Sequence, residues 1–193
     1  MTDALHPTVA HLLQSATPVL AIHGVAGRRW VRNVPESDAR RGPWLQAGYV
    51  VLDEATWQRS GACLYLVTGR DGGLRYVGIS RNGLKHRWRQ FPALVAQTRA
   101  ALPNRQLFHS QCWKHIEAEC ANDAQACFTV HCLGERELIA TLRTVVDPIR
   151  HPAELDEDGE TVTASVERWI CNRASASLAR WNVAMTARRA ASR

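Results

Sequence analysis

The amino-acid sequence predicts an α+β domain: a small, three-stranded, partly antiparallel sheet flanked by helices, with helical and loop extensions at both termini. Two apolar runs, at 62–67 and 74–79, flank a glycine-rich turn, which is typical of a β-hairpin. A third run, 126–134, is rich in β-branched and aromatic residues and predicts a strand. The stretch 135–146 then has its apolar residues on one helical stripe. This order of elements is typical of one α+β core.

The segment between the second and third strands predicts helices. A first helix runs through 84–90, with Ser80 or Asn82 as its N-cap. Pro92 ends that helix and begins another, because proline is tolerated at the first helical position but not in the interior. A further short helix is predicted over 104–116.

Both ends of the chain are predicted to extend this core. Residues 1–60 form a mixed N-terminal extension, whose basic stretch 27–44 is punctuated by proline and glycine and predicts a loop. The core is expected to cover 61–151. Residues 152–193 would then supply an acidic linker, C-terminal helices and a basic tail.

The charge is distributed unevenly along the chain. The formal net charge is +6, and residues 74–116 contain eight basic residues and no acidic one. A solvated basic face would explain this pattern, and so would a surface that follows nucleic-acid phosphates. Charge alone does not separate these two interpretations.

The N-terminus and the cysteines indicate a compartment. The first fourteen residues lack a charged region and a long apolar run, so no secretory signal peptide is expected. No run of about 18 apolar residues occurs, so no membrane span is expected. We therefore expect a cytoplasmic protein whose six cysteines stay reduced. A zinc site within 109–132 is an alternative, but Cys112-x-x-His115 has no second pair at matching spacing.

The hairpin resembles that of the GIY-YIG nuclease superfamily. Cys63-Leu64-Tyr65 stands where this family has Gly-Ile-Tyr, and Tyr76-Val77-Gly78 stands where it has Tyr-Ile-Gly. Ten residues separate the two tyrosines, a spacing typical of the family hairpin.

The segments after the hairpin continue the resemblance. Arg87 takes the place of the family's catalytic arginine, after one extra residue, Gly83. The stretch 104–115 is similar to an Asn…Leu…Lys-His segment of homing-type members, and 135–142 (ERELIATL) fits Glu-x-x-(Leu/Trp)-Ile-x-x-Leu. The resemblance covers 62–151, just under half of the chain.

The resemblance implies a metal-dependent endonuclease. By position, the catalytic residues would be Tyr65, Tyr76, Arg87 and Glu135. The substrate-binding residues would be Gly78, Asn82, Lys85, His86, Arg89 and Lys114. Glu135, rather than Glu137, aligns with the family's metal ligand, and the metal would be Mg²⁺ or Mn²⁺. The expected partner is nucleic acid, specifically double-stranded DNA, with no membrane partner; a double-strand cut would need a homodimer or two sequential nicks.

These residue types suit phosphodiester hydrolysis. The reaction builds negative charge on phosphate oxygens, which the planar guanidinium of Arg87 could pair with. A hard carboxylate such as Glu135 suits Mg²⁺. In the family's usual proposal the hydroxyl of Tyr65 helps to deprotonate water, although a reference pKa near 10 makes tyrosine a poor base unless neighbours lower that pKa. His86 has a better pKa, but adjacent helix positions point about 100° apart, so His86 and Arg87 would not both face one phosphate.

Each of these residues also has a plain structural interpretation. The tyrosines could be cross-strand packing residues, Arg87 a solvated helix residue, and Glu135 a carboxylate favoured by the helix dipole. The positions that depart from the family pattern are Cys63, Ile79, Phe91 and His151. A nucleic-acid-binding module that kept the scaffold without catalysis is therefore the alternative function.

Overall fold

The computed structural model describes residues 5–29, 35–36, 44–88, 112–145, 162–173 and 181–182. The strands are β1 (Thr17–Arg29), β2 (Trp44–Val51), β3 (Cys63–Gly69), β4 (Leu74–Ser80) and β5 (Phe128–Gly134). The helices are α1 (Pro7–Ser15), α2 (Glu54–Gln58), α3 (Leu84–Trp88), α4 (Trp113–Asn122), α5 (Glu135–Leu142) and α6 (Val162–Arg173). None of the helices in these ranges has the length and apolar character needed to cross a bilayer.

Among the described residues, the sheet has five strands, all antiparallel, in the order β2-β1-β5-β3-β4. The prediction of a small three-stranded, partly antiparallel sheet is therefore wrong, although the α+β class holds. The two additional strands come from the N-terminal extension, and the loop predicted over 27–44 overlaps their ends. β1 belongs in the sheet because it buries Val19, Leu20 and Ile22 completely, at about 1.5–3 kcal/mol each. The predicted domain boundary at residue 61 stays a prediction.

The hairpin predicted from the sequence is confirmed. β3 and β4 pair from Cys63↔Ser80 to Thr68↔Leu74, and Gly72 takes a positive φ of 73° in the turn between them. β3 also pairs along its whole length with β5. It is therefore an interior strand, and its residues from 63 to 68 are all buried.

The sheet separates two cores. On one side, which we call the tyrosine face, Cys63, Tyr65 and Val67 of β3 pack beneath side chains of α2, α3 and α4. On the other side, Leu64 and Leu66 pack beneath α1, α5 and α6. The alternation follows from the two-residue period of a strand. The fold is thus a sheet with helices on both faces.

The helices follow the predictions in part. α3 and α5 begin where the sequence predicts, whereas α4 shares only residues 113–116 with the helix predicted over 104–116. α6 begins at Val162, inside the stretch expected to be an acidic linker. The helix predicted from Pro92 lies outside the described residues.

The outer edge of β4 is occupied by a side chain from the C-terminal region. The Val77 N–H donates to Asn182 Oδ1 at 3.3 Å, and Asn182 Nδ2 donates to the Val77 carbonyl at 2.8 Å. The carboxamide thus makes both bonds that a neighbouring strand would make. The preceding Trp181 is buried in the core of the tyrosine face.

Replacing Asn182 by alanine should lower the free energy of unfolding by about 1–2 kcal/mol, because two buried backbone groups of Val77 lose their partner. Urea unfolding, with an unchanged slope and a lower midpoint, measures the loss. Asn122→Ala, at the exposed end of α4, is the control and should change stability by less than about 0.5 kcal/mol. Equal losses in the two variants would contradict the prediction.

Candidate active site

Two tyrosines lie side by side on the tyrosine face. Tyr65 is paired with Gly78 across the hairpin, and Tyr76 is paired with Val67, so the two tyrosines are diagonal neighbours. Their ring centroids are 6.1 Å apart and their planes are inclined by 25°, an offset stack. The structure therefore brings both predicted tyrosines together on one side of the sheet.

Gly78 provides the space for this arrangement. A Cβ at this position would lie 2.5 Å from Tyr65 Cζ and 2.8 Å from Tyr76 Cε1, closer than real side chains approach. The Tyr65 ring thus lies directly over the Gly78 Cα. The Tyr-Val-Gly motif needs glycine at position 78, because the Tyr65 ring occupies the space that a side chain would take.

Arg87 joins the tyrosines from α3. A side-chain hydrogen bond links Arg87 to Tyr65. Burial works to lower the pKa of Arg87, but its interactions with Tyr65 raise that pKa overall, so the guanidinium stays charged. The Nε atom of Arg87 is buried, and no described residue accepts a hydrogen bond from it. The neighbouring Trp88 is fully buried and meets Tyr65 edge-on at 5.6 Å, which anchors the helix that carries Arg87.

The hydroxyl groups are poorly placed to act as bases in this conformation. Tyr65 is fully buried and Tyr76 is 8% exposed. Burial, followed by the neighbouring Tyr65, raises the pKa of Tyr76 far above its ordinary value. A phenol in that state keeps its proton, so Tyr76 can donate a hydrogen bond to a substrate oxygen but does not take a proton from water.

Glu135 lies at the end of the same sheet. Gly134 pairs with Cys63, the residue that begins β3, and the Glu135 N–H donates to the Ala62 carbonyl at 3.1 Å. Glu135 follows Cys132, the β5 partner of Tyr65, by three positions, which is about 10 Å along the strand axis. The Glu135 carboxylate is half-buried and has no ion-pair or hydrogen-bond partner among the residues described.

The first turn of α5 lines an open cleft of about 450 Å³. The other residues that line it are Arg59, Ser60, Gly61, Ala62, Gly134, Arg136 and Glu137. Two arginines and two glutamates therefore meet at this end of the sheet. The cleft lies beside the start of β3, the strand that carries Tyr65, because Gly61 and Ala62 line it.

Both carboxylate oxygens of Glu137 already accept hydrogen bonds from the protein. Its Oε1 accepts from Arg59 Nη1 at 2.6 Å, and its Oε2 accepts from the Gly134 N–H at 2.9 Å. Partial burial works to raise the pKa of Glu137, but the bond from Gly134 and the ion pair with Arg59 outweigh it and lower that pKa. Glu135 is therefore the carboxylate that is left for a ligand in this cleft.

The described residues do not form a closed metal site. In these ranges, no three side chains of His, Cys, Asp or Glu come together as metal ligands. Glu135 offers one carboxylate, and Mg²⁺ takes six oxygen ligands and keeps several of them as water. One carboxylate without a partner among the described residues fits an ion whose other ligands are water and a substrate phosphate. It does not fit an ion held by protein ligands alone. The zinc alternative over 109–132 stays a prediction, because part of that segment lies outside the described residues.

Of the other predicted substrate residues, Asn82 lies just before α3, and Lys85 and His86 lie within it. Lys85 Nζ donates to Gln58 Oε1 at 2.8 Å, which ties α3 to α2. Asn82 is exposed and His86 is half-buried. Arg89 and the side chain of Lys114 lie outside the described residues, as do Phe91 and His151.

Cys63, the first residue of the Cys-Leu-Tyr motif, has a second thiol as its hydrogen-bond partner. A thiol hydrogen bond links Cys63 to Cys132 on the tyrosine face, and it lowers the pKa of Cys63. Both thiols are almost completely buried, and none of the six cysteines, all of which lie among the described residues, forms a disulfide. The Cys63 side chain is therefore accommodated in the core beside Tyr65.

Arg59 and Glu137 are site residues that were not predicted from the sequence. Glu137 had a local signal, because a glutamate three residues after an N-cap commonly bonds back to the cap N–H. Arg59 had none, since Glu137 lies 78 positions further along the chain. Only the fold brings these two residues together.

Gly78→Ala should destabilise the protein by about 1–3 kcal/mol, because the added methyl group collides with the Tyr65 ring. Thermal or urea unfolding measures the loss. Gly48→Ala is the matched control in β2, where a Cβ would meet nothing within 4 Å. A loss in Gly78→Ala no larger than that in Gly48→Ala would contradict the proposed packing.

The Arg59–Glu137 pair should make stability depend on pH in the acid range. Because the pKa of Glu137 is lower in the folded protein than its ordinary 4.5, its contribution is present above about pH 4.5 and is lost as the pH falls through the folded value. The stability difference between wild type and Glu137→Gln should therefore shrink from pH 6 to pH 3. Denaturant unfolding at each pH measures it, and a difference that is constant over this range would contradict the assignment.

Comparisons with known proteins add no relative to this picture. No family model, no curated protein and no solved structure matches the chain. The candidate active site is therefore defined by its own geometry: a tyrosine pair and an arginine on one face of the sheet, and the Glu135 carboxylate at the end of that sheet.

Proposed function

We propose that this protein is a metal-dependent endonuclease that hydrolyses DNA phosphodiester bonds, a restriction-like or stand-alone nuclease of GIY-YIG type. The observation that supports this most is the meeting of Tyr65, Tyr76 and Arg87 on one face of the sheet, with the uncommitted Glu135 at its end. These four residues are separated by up to seventy positions in the sequence. A purely structural role requires no such convergence of polar groups.

In this mechanism Arg87 neutralises charge on the scissile phosphate. Its guanidinium is always charged, and its buried Nε still has an N–H to donate. A phosphate oxygen is the acceptor that would complete its hydrogen bonding, and charge-assisted bonds of this kind are the strong ones. The bond from Arg87 to Tyr65 orients both side chains before the substrate binds.

The tyrosines would then orient the reacting groups. Tyr76 donates a hydrogen bond to a phosphate oxygen, because it keeps its proton. Tyr65, which is hydrogen-bonded to Arg87, is the tyrosine to which we assign the activation of water. Because Tyr65 is fully buried, the mechanism requires that the nucleic acid approaches from the side of Tyr76 and Arg87.

Glu135 would hold Mg²⁺ or Mn²⁺ through one carboxylate oxygen. The metal, when bound, supplies positive charge to the phosphate and the leaving oxygen. The cleft beside Glu135 leaves room for the water ligands that Mg²⁺ retains.

The proposed partner is double-stranded DNA, to which the basic stretch 74–116 would bind. Cleavage of both strands would come from a homodimer or from two nicks in succession. The proposed compartment is the cytoplasm, where free thiols persist.

A nucleic-acid-binding module without catalysis is the second candidate. The complete burial of Tyr65 and the raised pKa of Tyr76 favour it, because neither hydroxyl is ready to act as a base. The positive charge of the chain would serve binding equally well in this case.

A plasmid-cleavage assay with Mg²⁺ or Mn²⁺ separates the two candidates. We expect Glu135→Gln to slow cleavage by at least about 100-fold, because one group that supports transition-state charge is lost. Glu54→Gln, an exposed first-turn carboxylate on α2, is the matched control and should cut at the wild-type rate.

Other outcomes have distinct meanings. Salt-sensitive DNA binding without cleavage under either metal would support the binding module and contradict the nuclease. Cleavage that survives Glu135→Gln unchanged would remove Glu135 from the mechanism. The absence of both cleavage and salt-sensitive binding would indicate a protein–protein adaptor.

A further inference from the structure

A short linker touches all three elements that carry the candidate catalytic residues. Residues 59–62, which we call the 59–62 linker, connect α2 to β3. The linker leads directly into β3, which carries Tyr65. It also packs against the turn before α3, which carries Arg87, and against the first turn of α5, which begins with Glu135.

The contact with α3 is made by backbone atoms. Gly83 has a positive φ of 88°, and a Cβ on it would collide with the Arg59 carbonyl oxygen. Ser80 Oγ donates to the Gly83 carbonyl at 2.7 Å and fixes this turn. The start of α3 therefore rests on the backbone of the linker, and only glycine fits at the contact.

The contact with α5 is made by a side chain and by the backbone. Arg59 Nη1 donates to Glu137 Oε1 at 2.6 Å, and the Ala62 carbonyl accepts from the Glu135 N–H at 3.1 Å. Glu137 in turn accepts from the Gly134 N–H. The start of α5 is thus held at three positions, 134, 135 and 137.

Because the Arg59–Glu137 ion pair is exposed to solvent, we do not expect its main effect to be on the stability of the fold. The side chains of Arg59 and Glu137 are 47% and 44% exposed. Ion pairs this exposed contribute little to folding, with a median of about 0–1 kcal/mol. The 2.6 Å bond between Arg59 and Glu137 is therefore expected to add little to the free energy of unfolding. It still restricts the position at which α5 begins.

We infer that Arg59 is a positioning residue for Glu135: by holding Glu137, it fixes the first turn of α5 so that the Glu135 carboxylate faces the cleft at a set distance from the helix that carries Arg87. The inference rests on the proposed nuclease function. It assigns Arg59 no contact with substrate. Its effect passes through Glu137, and this distinguishes it from a residue that binds phosphate directly.

The test compares Arg59→Ala with Arg70→Ala in the full chain. Arg70 is a suitable control, because it also makes a single 2.6 Å bond, to Gln125, but lies at the opposite end of β3. We expect Arg59→Ala to lower the cleavage rate by about 10-fold or more and to raise the half-saturating Mg²⁺ concentration, with DNA affinity unchanged. Arg70→Ala should match wild type in all three measurements.

Two further variants identify the route. Glu137→Gln should reproduce the effects of Arg59→Ala, and the double variant should be no worse than either single variant, because the two residues act as one unit. Arg59→Lys, which keeps the charge and is less disruptive, should recover part of the rate. Loss of DNA affinity in Arg59→Ala, or a wild-type rate in Glu137→Gln, would overturn the inference.

Hydrogen exchange supplies a readout that does not depend on cleavage. Amide protons at the start of α5, residues 134–138, should exchange faster in Arg59→Ala than in wild type or Arg70→Ala. Unchanged exchange there overturns the inference whether or not the protein cuts DNA. If wild type does not cut but exchange rises as expected, the nuclease proposal fails while the positioning of α5 by Arg59 stands.

Discussion

The burial of β3 on both faces and both edges is the constraint on which the rest of the structure depends. Its backbone groups pair with β4 on one side and with β5 on the other, and alternate side chains enter opposite cores. A slip of one residue would send Tyr65 into the core beneath α5 and would bring Leu64 against Arg87. Both cores therefore oppose any change of register, and Tyr65, Gly78 and Cys132 stay in one row across three strands.

The same burial determines what the tyrosines can do. Enclosure strengthens the bond between Arg87 and Tyr65, because electrostatic interactions grow when water is excluded. It also keeps the proton on Tyr76. The tyrosine face is therefore better suited to donating hydrogen bonds to a charged oxygen than to accepting a proton. In a nuclease built on this site, the proton of the attacking water would have to go to a group other than Tyr76, which would remain a donor.

Short-range patterns predicted part of this fold and not the rest. The β3–β4 hairpin and the start of α5 were predictable, because a glycine-rich turn and an amphipathic stripe lie within a few residues of what they specify. β1 and β2 were not, since β1 pairs with residues more than one hundred positions away, as in Leu20↔Val130. Bulges near Leu20 and after Ile22 also interrupt the alternation that would have revealed the strand.

The candidate site, too, was predictable from the sequence only in part. The residue types at Tyr65, Tyr76, Arg87 and Glu135 were predictable from motif order, and the stacking of the two rings follows from strand alternation. The partnership of Arg59 with Glu137 was not predictable, because no local pattern connects a surface arginine to a helix start 78 residues later. The depth of Tyr65 in the core also has no local signal, since it depends on the helices packed over the sheet.

The occupied edge of β4 has a consequence for how copies of this chain could associate. With Asn182 taking the place of a neighbouring strand at Val77, an added strand cannot pair there without first displacing it. Among the described strands, the other outer position belongs to β2, which pairs with β1 alone. Antiparallel pairing of β2 with β2 of a second molecule obeys two-fold symmetry and is complete at two copies. The Asn182 carboxamide thus opposes strand addition at Val77, and a sheet that extended through β2 instead would end at two copies.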